Sequence, residues 1–203
     1  MNLYKYNYIK IPSLTGDIKK DIKEMFLVNK REETYNHVNA VAKINKKIAE
    51  KYNLDEEKCV VSALLHDIST ILLPEDMLNY AKEKNYNLCT AEEKYPFLLH
   101  QRISKTIAKE VFEINDLDIL SAIECHTTLK SNPTKYDMAL FIADKLSWDQ
   151  DGVPPFYNSL RSALEISLEK ASLVYIEFVI ENGMILYPHP WLLEARSFLT
   201  EFI

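Results

Sequence analysis

Apolar residues recur along most of this chain with the spacing of amphipathic helices. From position 17 onward they fall three and four positions apart, as in Val41, Ile44 and Ile48. Proline and glycine punctuate these stripes: Pro74 suits the first turn of a helix, and Gly183 suits a C-terminal cap. The pattern predicts an all-α domain of about eight helices, among them one long helix over residues 156–181.

The first sixteen residues follow a different pattern. Tyr4, Tyr6 and Tyr8 alternate with polar residues, and Pro12 and Gly16 then interrupt the chain. This alternation predicts a short strand or an extended arm that packs on the domain. We therefore expect a tyrosine-rich arm over residues 1–16 and a single helical domain over residues 17–203.

Several apolar stripes run into a side chain that can bind a metal ion. One histidine of this kind on an apolar face is ordinarily a core residue bonded to a backbone carbonyl. Here, however, five helices share the feature, and burying so many ionisable groups without partners would cost several kcal/mol each. A bound cation would satisfy them together. The positions are His37, His66, Asp67, His100, His126 and Asp144.

The composition of the chain excludes several classes of binding site and partner. Only three of the 203 residues are glycine, which excludes the glycine-rich loops that bind phosphate through backbone amides. The net charge of −6 argues against nucleic-acid and membrane-surface partners. Three dispersed cysteines without a C-x-x-C motif fit a reducing compartment, and no apolar run approaches the roughly 20 residues of a membrane span. We expect a cytoplasmic protein.

The order of these residues is similar to a known signature. His37, the pair His66-Asp67 and Asp144 resemble the His, His-Asp, Asp pattern of the HD-domain metal-dependent phosphohydrolases. The inserted His100 and His126 resemble the subgroup that holds two metals. Their local contexts, such as Ala-Leu-Leu-His-Asp and His-Thr-Thr, resemble the YqeK-type symmetrical bis(5′-nucleosyl)-tetraphosphatases over about residues 20–200. The resemblance implies an HD-type helical bundle that cleaves diadenosine tetraphosphate into two molecules of ADP.

The resemblance also implies a role for each residue. Asp67 would bridge two divalent or mixed-valent metal ions, with a metal-bound hydroxide as nucleophile. Iron is the preferred metal, with manganese or zinc as alternatives, because the ligands mix imidazole and carboxylate. The first metal would be held by His37, His66, Asp67 and Asp144, and the second by Asp67, His100 and His126. Candidate contacts to a nucleotide substrate are Thr127, Thr128, Lys130 and Lys145.

The residues around this set depart from the family pattern. Leu129-Lys130 stands where the tetraphosphatases usually have glycine and arginine, and the run from Lys145 to Gly152 replaces their Tyr-Ile-Glu-Pro. Two alternatives therefore stay open: an HD-type di-iron oxygenase, and a nucleotide-binding regulatory HD module without turnover. Trp148 would either stack on a base or fill the core, and His189 is expected at the surface. The arm and the last helix are candidate surfaces for a homodimer.

Overall fold

The computed structural model describes residues 1, 3–147 and 152–203, and within those ranges the chain is all-helical. No β-strand occurs among the described residues. The prediction of an all-α fold is therefore confirmed. The helices are α1 (Ile18–Val28), α2 (Glu32–Tyr52), α3 (Glu56–Leu65), α4 (Pro74–Glu83), α5 (Thr90–Lys94), α6 (His100–Glu110), α7 (Leu117–Cys125), α8 (Lys135–Leu146), α9 (Tyr157–Leu164), α10 (Leu168–Glu181) and α11 (Pro190–Phe202).

The described part contains eleven α-helices rather than about eight. The single helix expected over residues 156–181 is wrong, because the chain breaks between α9 and α10. Ser167 is extended there and its hydroxyl accepts the amide hydrogen of Lys170, which starts a new helix. The preceding Ile166 is 73% exposed, so the apolar stripe is interrupted at the same point. The short α5 has too few residues to show a stripe at all.

The first sixteen residues pack onto the domain, and none of the described residues among them forms a strand. They begin with a 3-10 turn over Leu3–Lys5. Leu3, Tyr6 and Ile9 are buried in the main core, and the hydroxyl of Tyr8 donates to the carboxylate of Asp76 at the start of α4. The buried residues are three positions apart, which is the spacing of successive turns. A strand would bury every second residue instead.

The helices that carry the candidate metal ligands form the centre of the bundle. Helix α2 packs along both α3 and α8, and α7 packs against α3, α6 and α8. Their shared core contains Val41, Leu65, Ile103 and Phe141, all completely buried. The last helices stand to one side, with α10 joining α8 to α9 and α11. This arrangement brings one end of α3, α6, α7 and α8 together beside His37, in the second turn of α2.

His189 is buried rather than at the surface, which corrects the sequence prediction. His189 lies just before α11 and outside any apolar stripe, so the sequence pattern did not indicate burial. In the structure its Nε2 lies 3.7 Å from Oε1 of the buried Glu92 carboxylate. Arg102 of α6 donates to the same carboxylate at 2.8 Å. The guanidinium of Arg102 also lies over the rings of Tyr86 and Trp191. Helix α11 is therefore attached to α5 and α6 by charge and by aromatic contacts.

Among the described helices, none combines the length and the apolar character that crossing a bilayer requires. Cys59, Cys89 and Cys125 are all free thiols. The Sγ of Cys125 donates to the carbonyl of Ser121 within its own helix, so this cysteine is a core thiol, as expected.

Candidate metal centre

The six metal-binding side chains singled out in the sequence converge at one place. His66 and His126 directly follow the last residues of α3 and α7, and His100 is the first residue of α6. Helix ends leave backbone carbonyls without intrahelical partners. A histidine placed there can use such a carbonyl to fix its ring.

Each of these three rings is oriented in the same way. The Nδ1 atom of the ring lies within hydrogen-bond distance of the carbonyl three residues earlier. A carbonyl only accepts, so Nδ1–H is the donor, and in the neutral ring Nε2 then carries the lone pair. Metal-binding histidines ordinarily show this arrangement. The bonds are His66 to Ala63 at 2.7 Å, His100 to Phe97 at 2.6 Å and His126 to Ile123 at 2.9 Å.

The first group of donor atoms gathers around one oxygen of Asp67. Its Oδ2 lies 3.4 Å from His66 Nε2 and 4.0 Å from His37 Nε2. Asp144 Oδ1 completes the group, at 3.1 Å from His37 Nε2 and 3.6 Å from His66 Nε2. Two imidazole nitrogens and two carboxylate oxygens therefore face a common point.

The second group gathers around the other oxygen of Asp67. Its Oδ1 lies 3.5 Å from both His100 Nε2 and His126 Nε2. Those two nitrogens are only 2.9 Å apart. Because both rings donate through Nδ1, two lone pairs face each other, and such a pair is satisfied by a shared cation.

The donor set fits two cations that share Asp67. Within the described residues, His66 Nε2 is completely buried and has no hydrogen-bond partner, although the carboxylates of Asp67 and Asp144 lie 3.4 and 3.6 Å away. A buried polar atom left without a partner is costly, so an unmet donor or acceptor marks a position where a ligand is expected. Mixed imidazole and carboxylate ligands suit iron, manganese or zinc rather than magnesium.

The pKa values of the histidines differ between the two donor groups. Burial alone would lower the pKa of His66, but the carboxylates of Asp67 and Asp144 outweigh it and raise the pKa to about 9. Burial lowers the pKa of His126 to about 4. The pKa values of both carboxyl groups lie below their ordinary range, because the surrounding cationic groups outweigh the effect of burial. Both aspartates therefore stand ionised.

Two further polar contacts hold the second group in place, and sequence reasoning missed them. Gln101 Oε1 accepts the amide hydrogens of Thr127 and Thr128 at 3.1 and 3.3 Å, which fixes the turn after His126. The hydroxyl of Ser69 donates to the carbonyl of His100 at 2.9 Å, which ties the turn after Asp67 to α6. No sequence pattern marked Gln101, which only the structure shows to be completely buried beside His100.

Two adjoining cavities open onto the cluster. The inner cavity, of about 290 Å³, is lined by all of the candidate ligands except His66, together with Lys145, Phe156 and Tyr175. The outer cavity, of about 800 Å³, shares His37, Asp67, Phe97 and Ser147 with the inner one. It is otherwise lined by Glu33, Thr34, Asn36 and Ala40. The ligand cluster thus lies at the floor of a cleft large enough for a small molecule.

The predicted substrate contacts divide into two pairs. Thr127 and Lys145 line the inner cavity. Thr128 does not, because its buried hydroxyl donates to the carbonyl of Leu129. Lys130 does not either: its ammonium donates to Ser121 at 2.6 Å and lies 3.4 Å from the carboxylate of Asp137. A role of Thr128 or Lys130 in substrate binding stays a prediction.

Lys145 is held in a defined position on the cavity wall. Its ammonium donates to Asp144 Oδ2 at 2.7 Å and to the carbonyl of His126 at 3.0 Å, so it touches a residue of each donor group. Its side chain is 10% exposed. Burial alone would lower the pKa of this lysine, but the carboxylate of Asp144 raises it. Lys145 therefore presents a cation to the cavity. Trp148 lies outside the described residues.

A second set of metal-binding residue types lies elsewhere, where Cys89, Glu92 and His189 approach one another. Its histidine is oriented the opposite way, because His189 Nδ1 accepts the amide hydrogen of Trp191 at 3.1 Å. The neutral ring then carries its proton on Nε2, the atom that would have to face a metal. The guanidinium of Arg102 already donates a hydrogen bond to the Glu92 carboxylate. We conclude that this group joins helices and does not bind a cation.

Comparisons with known proteins agree with this geometry. A family model described as the HD domain matches residues 34–149, which contain all six candidate ligands. An uncharacterised protein encoded in the pepC 5′ region of Lactococcus lactis subsp. cremoris is 42% identical over 71% of this chain and 73% of its own length. A symmetrical bis(5′-nucleosyl)-tetraphosphatase of Staphylococcus aureus is 30% identical over 56% of this chain and 58% of its own length.

A solved structure is also similar. A crystal structure from Clostridium acetobutylicum, described as a predicted HD superfamily hydrolase involved in NAD metabolism, superposes with a TM-score of 0.80. It is 30% identical in sequence, and the match covers 91% of this chain and 97% of that one. The similarity thus extends well beyond residues 34–149.

Proposed function

The chain belongs to the HD domain family, and on that premise we propose that it is a two-metal phosphohydrolase that cleaves a phosphoanhydride or phosphoester of a nucleotide. The observation that carries the proposal is the sharing of Asp67. One of its oxygens faces His37 and His66, and the other faces His100 and His126. Relatives named as tetraphosphatases make diadenosine tetraphosphate, cleaved to ADP, the first substrate to assay.

The proposed ligand assignment follows the two donor groups. His37, His66, Asp67 and Asp144 would hold one cation, and Asp67, His100 and His126 the other. Two such cations, when bound, lower the pKa of a shared water and neutralise phosphoryl oxygens. The chain itself supplies the orientation: the carbonyls of Ala63, Phe97 and Ile123 fix the three rings with Nε2 turned inward.

Two groups on the wall of the inner cavity would bind the phosphoryl group. The ammonium of Lys145 points a fixed positive charge at the cavity, and charge-assisted hydrogen bonds of this kind are the strong ones. The hydroxyl of Thr127, 3.1 Å from His100 Nε2, offers a donor beside the second donor group. Phe156 and Tyr175 line the same cavity and give it an aromatic wall.

The test begins with purification of the protein in iron or manganese and a count of bound metal. The loaded protein is then assayed against diadenosine tetraphosphate, nucleoside mono-, di- and triphosphates and a chromogenic phosphodiester. Release of phosphate or ADP supports the proposal. Metal bound without turnover of any of these compounds would overturn it. Oxygen consumption by a mixed-valent form would instead identify an oxygenase, and tight nucleotide binding without product a regulatory module.

A cytoplasmic location is part of the same proposal. Three free, dispersed cysteines are typical of proteins kept in a reducing compartment. A nucleotide substrate would be available there.

A further inference from the structure

We propose that the cleft selects a nucleotide with a single phosphate group, a nucleoside monophosphate, over nucleotides with several phosphates. This inference rests on the proposed function and concerns which nucleotide the site accepts. It follows from the charges that line the two cavities and from the one exposed aromatic ring at their junction.

The cleft contains one fixed cation. Among the described residues that line the inner and outer cavities, Lys145 is the only lysine or arginine. A chain of several phosphates extending from the metal centre would therefore meet no further positive side chain among these described lining residues.

The charge of the centre matches one phosphate group. Two divalent cations, two carboxylates and the Lys145 ammonium give a formal charge of about +3, and a deprotonated water lowers it to about +2. A phosphate monoester carries a charge of about −1.5 to −2 at neutral pH. The four phosphates of diadenosine tetraphosphate would bring about twice that negative charge, most of it outside the reach of Lys145.

The outer cavity suits an uncharged and hydroxylated group. Glu33 stands on its wall with Thr34 and Asn36, so this part of the cleft is acidic or neutral and offers several hydrogen-bond acceptors. A carboxylate here would repel additional phosphates, and it would accept hydrogen bonds from ribose hydroxyls or from the amino group of a base. The wall thus favours a nucleoside over a polyphosphate chain.

Phe97 provides the surface on which a base can stack. Its ring lies against the His100 ring with centroids 4.6 Å apart and planes 22° apart, which fixes its orientation. The side chain is nevertheless 48% exposed, and it lines both cavities. Aromatic stacking on a base is worth about 1–3 kcal/mol in single-stranded nucleic-acid complexes. Phe97 is therefore the specificity-determining residue for the base.

The reaction on such a substrate is the hydrolysis of a phosphomonoester. The oxygen of water forms a bond to phosphorus, and the bond between phosphorus and the 5′ oxygen breaks with its electron pair on that oxygen. The leaving oxygen takes a proton that water has released. Nucleoside and inorganic phosphate are the products, and no oxidant or reductant is needed.

The decisive experiment changes the charge of the outer wall. We expect the unaltered protein to show a higher kcat/KM for AMP than for diadenosine tetraphosphate. Glu33→Lys should shift that ratio toward the tetraphosphate by about tenfold, because it adds a cation where additional phosphates would lie. Glu32→Lys is the matched control: it makes the same charge change in the same turn of α2, outside the cavity lining, and should leave the ratio unchanged.

Equilibrium binding gives a readout that does not depend on turnover. Calorimetry with a phosphonate analogue of AMP and with a methylene-bridged diadenosine tetraphosphate should show tighter binding of the former. Phe97→Leu should weaken the former, while the metal content stays constant. Preferential cleavage and binding of the tetraphosphate by the unaltered protein would overturn this inference and leave the proposed function standing. No turnover of any phosphate compound would instead overturn the proposed function.

Discussion

The carboxylate of Asp67 has two different environments within a single side chain. Its Oδ2 faces the histidines of α2 and α3, and its Oδ1 faces those of α6 and α7. A carboxylate that bridges two metals must direct its two oxygens at different sets of ligands. A carboxylate that only caps a helix does not need to. The 3-10 turn over Ile68–Ile71 that follows it leaves the side chain free of local backbone bonds. Asp67 can therefore serve both groups at once.

At the residue scale we predict that single substitutions remove metals selectively. His37→Gln and His126→Gln should each reduce the content from about two metals per chain to about one, because each removes a donor from one group only. Asp67→Asn should lower the content of both. Elemental analysis after dialysis measures the ratio directly.

Lys130→Ala serves as the control for these substitutions, since its ammonium bonds Ser121 away from the cluster. It should keep the full metal content. A content that fell to about zero in His37→Gln or in His126→Gln, with both proteins folded, would contradict the division into two groups.

At the scale of elements, the candidate site is built where helices begin and end. The helices α3 and α7 each end in a carbonyl that receives a histidine Nδ1–H, and α6 begins with the third such ring. The rotation of each ring is thus set by backbone rather than by neighbouring side chains. The turns between these helices are joined to each other through Ser69, Ser104 and Gln101. Loosening one turn should move its histidine without altering the others.

We predict that Gln101→Leu weakens the second donor group more than the first. The substitution leaves the buried amide hydrogens of Thr127 and Thr128 without an acceptor, which should cost about 1–3 kcal/mol of stability. The affinity for one of the two metals should fall about 10- to 100-fold, while the other is retained. Thermal unfolding and a competitive metal titration measure the two effects.

Thr106→Val, on the same helix, is the comparison variant. It loses a hydroxyl that bonds Arg102 and Tyr86 and touches no candidate ligand. Equal weakening of both metals in Gln101→Leu would show that the residue supports the whole bundle and not one turn.

For the whole molecule, the attachment of α11 depends on one buried carboxylate. Glu92 is 1% exposed and receives hydrogen bonds from Arg102 and from the amide of Cys89. Burial alone would raise the pKa of Glu92, but His189 and Arg102 outweigh it and lower the pKa to about 2. The ionised form is therefore the one that holds the last helix in place.

The pH dependence of stability follows from that shift. A carboxyl group with a lowered folded pKa stabilises the protein above its unfolded value of about 4.5, and the contribution disappears as the pH falls toward about 2. Glu92→Gln should therefore unfold more easily than the unaltered protein at pH 7, by on the order of 2 kcal/mol. The difference should shrink between pH 5 and pH 3.

Denaturant unfolding at several pH values tests this prediction. Glu194, an exposed residue of α11 that lines a small cavity together with Glu92 and His189, supplies the control: Glu194→Gln should behave like the unaltered protein. A difference that stayed constant with pH would show that packing of Glu92, rather than its charge, holds α11.

Most of the candidate ligands could be predicted from the sequence, because a polar residue at an apolar position of a helix is visible in the periodicity. His37, His100 and Asp144 stand where an apolar stripe calls for an apolar residue, so each position is visible from periodicity alone. The residues that could not be predicted depend on contacts between distant segments. Phe156 reaches the cavity only because α9 folds back, and His189 is buried only because α11 docks on Glu92. No local pattern records such contacts.

The ligand cluster and the aromatic wall of the inner cavity come from separate stretches of the chain. All six candidate ligands lie between residues 37 and 144, whereas Phe156 and Tyr175 follow them. Recombination between related genes can therefore exchange the wall and leave the ligands untouched. In evolutionary terms, a lineage can inherit the ligands, together with Phe97 and Lys145, through one segment and change the wall formed by Phe156 and Tyr175 through the other. A chimaeric protein that joins residues 1–152 of this chain to the corresponding C-terminal segment of a relative would make such an exchange directly.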